Sequence, residues 1–125
     1  MNEYSKVRYY RDLLVWQKAI RLAQLIYKVS EHLPSSEKFG LITQMRRAAV
    51  SVPSNIAEGQ GRNTTGEFIQ FLSIAEGSLA ELDTQLFLAI ELGFLGSSEP
   101  SEAFEQIIET RKMLQTLKRR LTEKR

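Results

Sequence analysis

The chain reads as an all-α protein, an antiparallel up-down-up-down four-helix bundle that makes a single domain of residues 1–125. Three observations carry that reading. Apolar residues recur at three- and four-residue steps in four separate segments, the period of a helix with one buried face. The breaks between those segments are short, and short connections join antiparallel neighbours. No segment alternates with strand period, and no internal repeat of solenoid length is present. The segments span about 12–31, 36–58, 65–92 and 99–122, and residues 1–10 and the last few are expected to fray.

The first helix is expected to place Leu13, Trp16, Ala19, Ile20, Ala23, Ile26 and Tyr27 on one face, with Asp12 as its N-cap. Leu33-Pro34 ends it, because proline disfavours helical geometry at the residue before it. Ser35 or Ser36 is expected to cap the second helix, with Glu37 in its first turn suiting the helix dipole. Leu41, Met45, Ala48, Ala49, Val52 and Ile56 form its apolar face, and Pro53 lies within it. Thr64 followed by Glu67 reads as a capping box for the third helix. That helix carries a seam of Phe68, Leu72, Ala75, Leu79, Leu82, Leu86 and Ala89 and ends at Gly93. Pro100 opens the fourth helix, whose seam is Ala103, Ile107, Thr110, Leu114, Leu117 and Leu121.

Composition narrows the chemistry. Hydrophobic residues make up 42% and charged residues 26%, a globular balance. With no cysteine and one histidine, His32, there is no disulfide, no thiolate or histidine-rich metal site and no cysteine nucleophile. No apolar run approaches a membrane span and no signal-peptide core is present, so a cytoplasmic chain with no membrane partner is expected. No cofactor or small-molecule substrate is expected either. Glycine at 59 and 61 lacks the Gly-Lys-Ser/Thr of a phosphate-binding loop.

The charges sort by segment. Residues 1–62 carry a net +5, residues 63–110 hold no Lys or Arg and carry −9, and residues 111–125 carry +6. Oppositely charged helices lying side by side, an acidic face meeting the basic face of another subunit, and a basic tail that binds nucleic acid are three readings of this pattern. Arg46, Arg62, Lys118, Arg119 and Arg120 are the candidate nucleic-acid contacts. Such binding is expected to be salt-sensitive and weakly sequence-specific, since no aromatic-interleaved stacking platform is evident.

The third helix also carries apolar residues beyond its seam. Phe71, Ile74, Phe87 and Ile90 are the candidate oligomer interface, the alternative being a wider core stripe. Gln44, Arg47, Ser51, Asn55 and Glu58, with Glu81 of the third helix, form a candidate structural polar network in which Arg47 forks onto Glu81 or Glu58. Read instead as a catalytic pair, Glu58 and Glu81 lack any sign of the separation or environment that acid–base work needs. Gly77, inside a helix, suggests a place where another backbone comes close.

The strings Asp12-Leu13-Leu14-Val15-Trp16-Gln17-Lys18-Ala19 and Phe39-Gly40-Leu41-x-x-Gln44-x-Arg46-Arg47-Ala48-Ala49-x-Ser51-x-Pro53-x-Asn55-Ile56-Ala57-Glu58-Gly59, followed by Phe68 and Phe71-Leu72-x-x-Ala75-x-Gly77-Ser78-x-x-Glu81-Leu82, closely resemble the 23S rRNA intervening-sequence protein family. The match covers about residues 11–95, and the fourth helix shows less of a motif. The resemblance implies a bacterial four-helix bundle that assembles as a homopentameric ring, with no established enzymatic activity and nucleic-acid binding as a proposed role. The accessory proteins of diversity-generating retroelements look like distant relatives, which form rings, bind nucleic acid and partner a reverse transcriptase. The expected function is therefore non-enzymatic: a homo-oligomeric, pentameric bundle that binds RNA or DNA. The alternative is a protein-interaction scaffold or accessory subunit of a nucleic-acid enzyme such as a reverse transcriptase.

Overall fold

The structure is a computed structural model that describes residues 9–124, so most of the segment expected to fray at the N-terminus and the final residue lie outside the described residues. Four helices are present, α1 (Leu14–Ser30), α2 (Leu41–Gln60), α3 (Thr65–Glu91) and α4 (Ser101–Lys124), and no strand occurs among the described residues. Short 3-10 turns at Tyr10–Asp12 and Ser35–Glu37 precede α1 and α2. Consecutive helices pack together and α1 packs on α4, which closes a four-cornered bundle.

Every neighbouring pair runs antiparallel. Arg46 of α2 reaches Tyr27 and Ser30 at the end of α1, while Ala57 shares a groove with Trp16 near its start. Ser51 meets Ser78, and Gly59 lies against Phe68 and Phe71. Lys118 contacts Ser73, and Ile107 stands beside Leu79 and Asp83. Lys18 pairs with Glu109, and Val15 adjoins Leu117.

The expected seams of α2, α3 and α4 are all buried. Leu72, Leu79, Leu82, Leu86, Leu114 and Leu121 are enclosed almost completely, and each buried leucine contributes about 1.5–3 kcal/mol. The face of α1 differs from expectation. Val15, Leu22 and Val29 enter the core, Trp16 and Ile20 are half-buried, and Tyr27 is exposed. α1 carries apolar residues on more than half its circumference, so α2 and α4 together decide which of them lie deepest.

Two N-terminal caps also differ. Asp12 lies in the 3-10 turn, and Leu13 takes the N-cap position without a side-chain hydrogen bond. Leu13 is fully buried, so anchoring it in the core outweighs a polar cap. The second helix begins at Leu41, after the turn that holds Ser35 and Ser36. Its cap is the Glu37 carboxylate, which accepts a hydrogen bond from the Leu41 backbone N–H at 3.1 Å. A side chain at Gly40 would place a carbon 2.8 Å from that carboxylate oxygen.

The other termini follow expectation. Thr64 Oγ1 accepts from the Glu67 N–H at 3.1 Å and donates to its carboxylate at 2.9 Å. Gly93 has φ +79°, with Phe94 N–H bonded to Ala89 C=O and Gly93 N–H to Ile90 C=O, which is a Schellman closure. Phe94 then folds back against the core.

Candidate nucleic-acid interface

The antiparallel register brings the start of α1, the end of α2, the start of α3 and the end of α4 to one end of the bundle. Arg11, Arg62, Arg119 and Arg120 belong to that end or to the last turns leading to it, and Lys112 lies midway along α4. The opposite end carries Glu31, Glu91, Glu99 and Glu102 together with Lys28 and Lys38. There His32 Nδ1 lies 2.9 Å from Glu99 Oε2 and ties the two loops together. A hydrogen bond from the Gly96 backbone N–H, and secondarily the one to His32, hold the Glu99 carboxyl below its ordinary range.

The five cations nominated from sequence separate into three kinds. Arg46 is a clamp at the other end: its Nε donates to Ser30 Oγ at 2.9 Å and its Nη2 to Tyr27 C=O at 3.2 Å, and its guanidinium lies 4.5 Å from the Tyr27 ring centroid. Its donors satisfy the C-terminal turn of α1. Lys118 is a strut between helices, 2.5 Å from Glu76 Oε1 and 3.0 Å from Ser73 Oγ. Arg62 is exposed, stacks 4.7 Å from the Phe71 centroid and lies 3.4 Å from Glu58. Arg119 and Arg120 are exposed and make no ion pair with any described residue.

Two further features at this end escaped the sequence reading. Lys112 joins Arg120 at the rim of a cleft of about 250 Å³ floored by Val15, Met113 and Leu117. Tyr9, Tyr10 and Trp16 form a chain of edge-on rings with centroid separations of 4.6 and 5.3 Å, and Arg11 lies 5.1 Å from the Tyr9 centroid. These rings pack edge-on against one another beside one arginine and do not make the stacking platform whose absence the sequence implied. The signal was the alternation Tyr9-Tyr10-Arg11 ahead of Trp16, which becomes a cluster only when the 3-10 turn folds it back.

The polar network is narrower than expected. Ser51 and Ser78 share a hydrogen bond at 2.8 Å, and Asn55 Nδ2 donates to the Ser51 hydroxyl and carbonyl. Gln44, Arg47 and Glu81 are exposed and Glu58 faces Arg62, so the expected fork of Arg47 onto Glu81 or Glu58 does not form. Arg47 lies on the outward row of α2, where water screens a carboxylate and an exposed pair gains little. Gln85 is buried at 6% exposure and its Oε1 has no hydrogen-bond partner.

The candidate interface quartet does not form one patch. Phe71 is half-buried beneath Arg62, and Ile90 is half-buried against the core. Ile74 and Phe87 are exposed, Ile74 on the α2 side of α3 and Phe87 on the α4 side, in one row with Asp83. Among the described residues no group of three or more His, Asp and Glu is placed to hold a metal ion, and no helix is long and apolar enough to cross a membrane.

A closed four-helix bundle with exposed arginines on the last turns of α4 is the class of molecule these features define. The chain belongs to the 23S rRNA-intervening sequence protein family, whose family model matches residues 11–116. A crystal structure of a protein of unknown function from the S23 ribosomal protein family of Bacteroides thetaiotaomicron shares the fold, with a TM-score of 0.77 and 24% identity, over 84% of this chain and 98% of that one. No curated protein matches the chain.

Proposed function

We propose that this protein is a non-enzymatic, self-associating bundle of the cytoplasm that binds the phosphate backbone of RNA or DNA through the cationic end of α4. The observation that carries the reading is the trio Lys112, Arg119 and Arg120, exposed on one helix and within ion-pair distance of no carboxylate among the described residues. Carboxylates pair directly with Lys118 and Arg62, whereas Arg119 and Arg120 meet none among the described residues and Lys112 acts on Glu109 only through space. Binding of this kind releases counterions and weakens steeply with salt. Ring closure by five copies is the arrangement that the family resemblance implies, and it would repeat the trio around one rim.

The test is a salt titration of binding to a structured RNA and to duplex DNA, with the double variant Arg119→Glu/Arg120→Glu beside the native protein. The native chain is expected to bind both at low salt, with a log–log slope that falls in magnitude by about 1–2 in the variant. Failure of the native chain to bind either polymer at low ionic strength overturns the proposal.

A further inference from the structure

Three glycines lie within helices of this bundle: Gly66 sits in the first turn of α3, and of the two deeper in, Gly59 and Gly77, only Gly59 has a reason within the subunit. A Cβ at Gly59 would stand 2.7 Å from the Phe71 Cβ and 3.0 Å from Phe68 Cδ1, so α2 and α3 require glycine there to pack closely. A Cβ at Gly77 would meet nothing within 4 Å. Glycine in a helix interior costs about 1 kcal/mol relative to alanine, and nothing in the chain's own packing offsets that at Gly77.

The surroundings of Gly77 point to another molecule. Ile74, Gly77, Glu81, Leu88 and Leu92 follow one another at helical spacing on the outward side of α3, turned toward α2. Ile74, Leu88 and Leu92 are each about half exposed. Glu81 is exposed with no ion-pair partner among the described residues, and the whole segment 63–110 has no cation.

The chain itself carries a matching surface. A groove of about 260 Å³ between α1 and α2 is walled by Trp16, Ile20, Val50, Pro53 and Ala57, with Val50 exposed on its rim. One turn before Val50 on the outward row of α2 stands Arg47, exposed and in no ion pair with a described residue. This half of the chain, residues 1–62, is the one with net +5. We infer that the Gly77 face of α3 docks into the α1–α2 groove of a second copy, so that Glu81 of one copy meets Arg47 of the next. The missing side chain at Gly77 lets the neighbour's helix approach, and the exposed leucines and isoleucine fill its groove. The two faces differ, so the contact is head-to-tail and self-association continues until it closes on itself. They lie on adjacent sides of the bundle, which turns successive copies toward a small ring. This inference rests on the self-association proposed above and names the surface that produces it.

The experiment is sedimentation velocity and far-UV circular dichroism on the native chain and on Gly77→Leu, Arg47→Glu and Glu81→Arg. Gly77→Leu is expected to keep native helicity and a Tm no lower than that of dissociated native protein, because its side chain enters open space, while association weakens about 100-fold. Arg47→Glu and Glu81→Arg are each expected to weaken association, and mixing the two is expected to restore it through the reversed charge pair. A native chain that is monomeric throughout the micromolar range overturns self-association itself. A native chain that assembles, together with a Gly77→Leu chain that assembles equally well, overturns only this assignment of the face, as does a mixture of the charge variants that stays apart.

Discussion

Replacing Gly59 by alanine adds one methyl group where α2 and α3 come closest. The added carbon would sit 2.7 Å from the Phe71 Cβ and 3.3 Å from the Phe68 carbonyl oxygen. Neither atom can move by a side-chain rotation, since both are fixed to the α3 backbone. The helices must separate by several tenths of an ångström along a contact that includes the Ser51–Ser78 hydrogen bond. Overpacking of this kind costs about 1–3 kcal/mol, against a gain in helix propensity of at most about 1 kcal/mol. The net loss expected is about 1–2 kcal/mol, or a fall in Tm of roughly 4–10 °C for a domain of this size. Thermal and urea denaturation followed by circular dichroism measure it. A Gly59→Ala chain that melts at or above the native temperature would show that propensity alone governs the position, and the reasoning from close approach would be refuted.

Thr64→Ala removes the hydroxyl that caps α3 and is expected to cost about 1 kcal/mol in urea denaturation, with amide exchange quickening in the first turn of that helix. Lys118→Met leaves Glu76, a carboxylate with only 19% of its side chain exposed, without its cation. The loss should fall near 1–2 kcal/mol, between the values for exposed and buried pairs, and nucleic-acid affinity should change less than in Arg119→Glu/Arg120→Glu. Hydrogen bonds from Gly96 and His32 lower the pKa of Glu99, and the hydrogen bond and charge of Lys18 lower that of Glu109, each from an ordinary value of 4.5. A carboxyl with a depressed folded-state pKa stabilises the fold above its unfolded pKa, and that stability is lost as pH falls through the folded value. Stability should therefore decline as pH drops below about 4.5, and Glu99→Gln should make that decline shallower in acid urea titrations.

The helices were legible because their seams are strongly periodic. From Phe68 to Ala89 each expected contact of α3 is buried, and the same holds from Ala103 to Leu121 in α4. The face of α1 was harder, because Leu14, Val15 and Trp16 are adjacent apolar residues and periodicity alone does not choose among them. The start of α2 was misplaced because Ser35 and Ser36 have cap chemistry, whereas the working cap is Glu37 acting across a glycine. At the candidate interface, local sequence carries charge but not partnership. Arg46 and Arg119 look alike in a string of letters. Only the packing of α2 on α1 reveals that Arg46 is committed to Tyr27 and Ser30. Likewise Lys118 and Arg119 are adjacent, and the helical turn between them directs one onto Glu76 and the other to solvent.

Trp16 is the chain's single tryptophan, and it stands half-buried where α1 meets α2, edge-on to Tyr10 and in the wall of the open groove. Its indole senses whatever dries or wets that furrow. Fluorescence from unlabelled protein should therefore separate the denatured chain, red-shifted, from the folded bundle, and a further blue shift is expected if a second copy docks in the groove as inferred above. The molecule carries its own optical reporter at the spot where folding and company would both leave a trace.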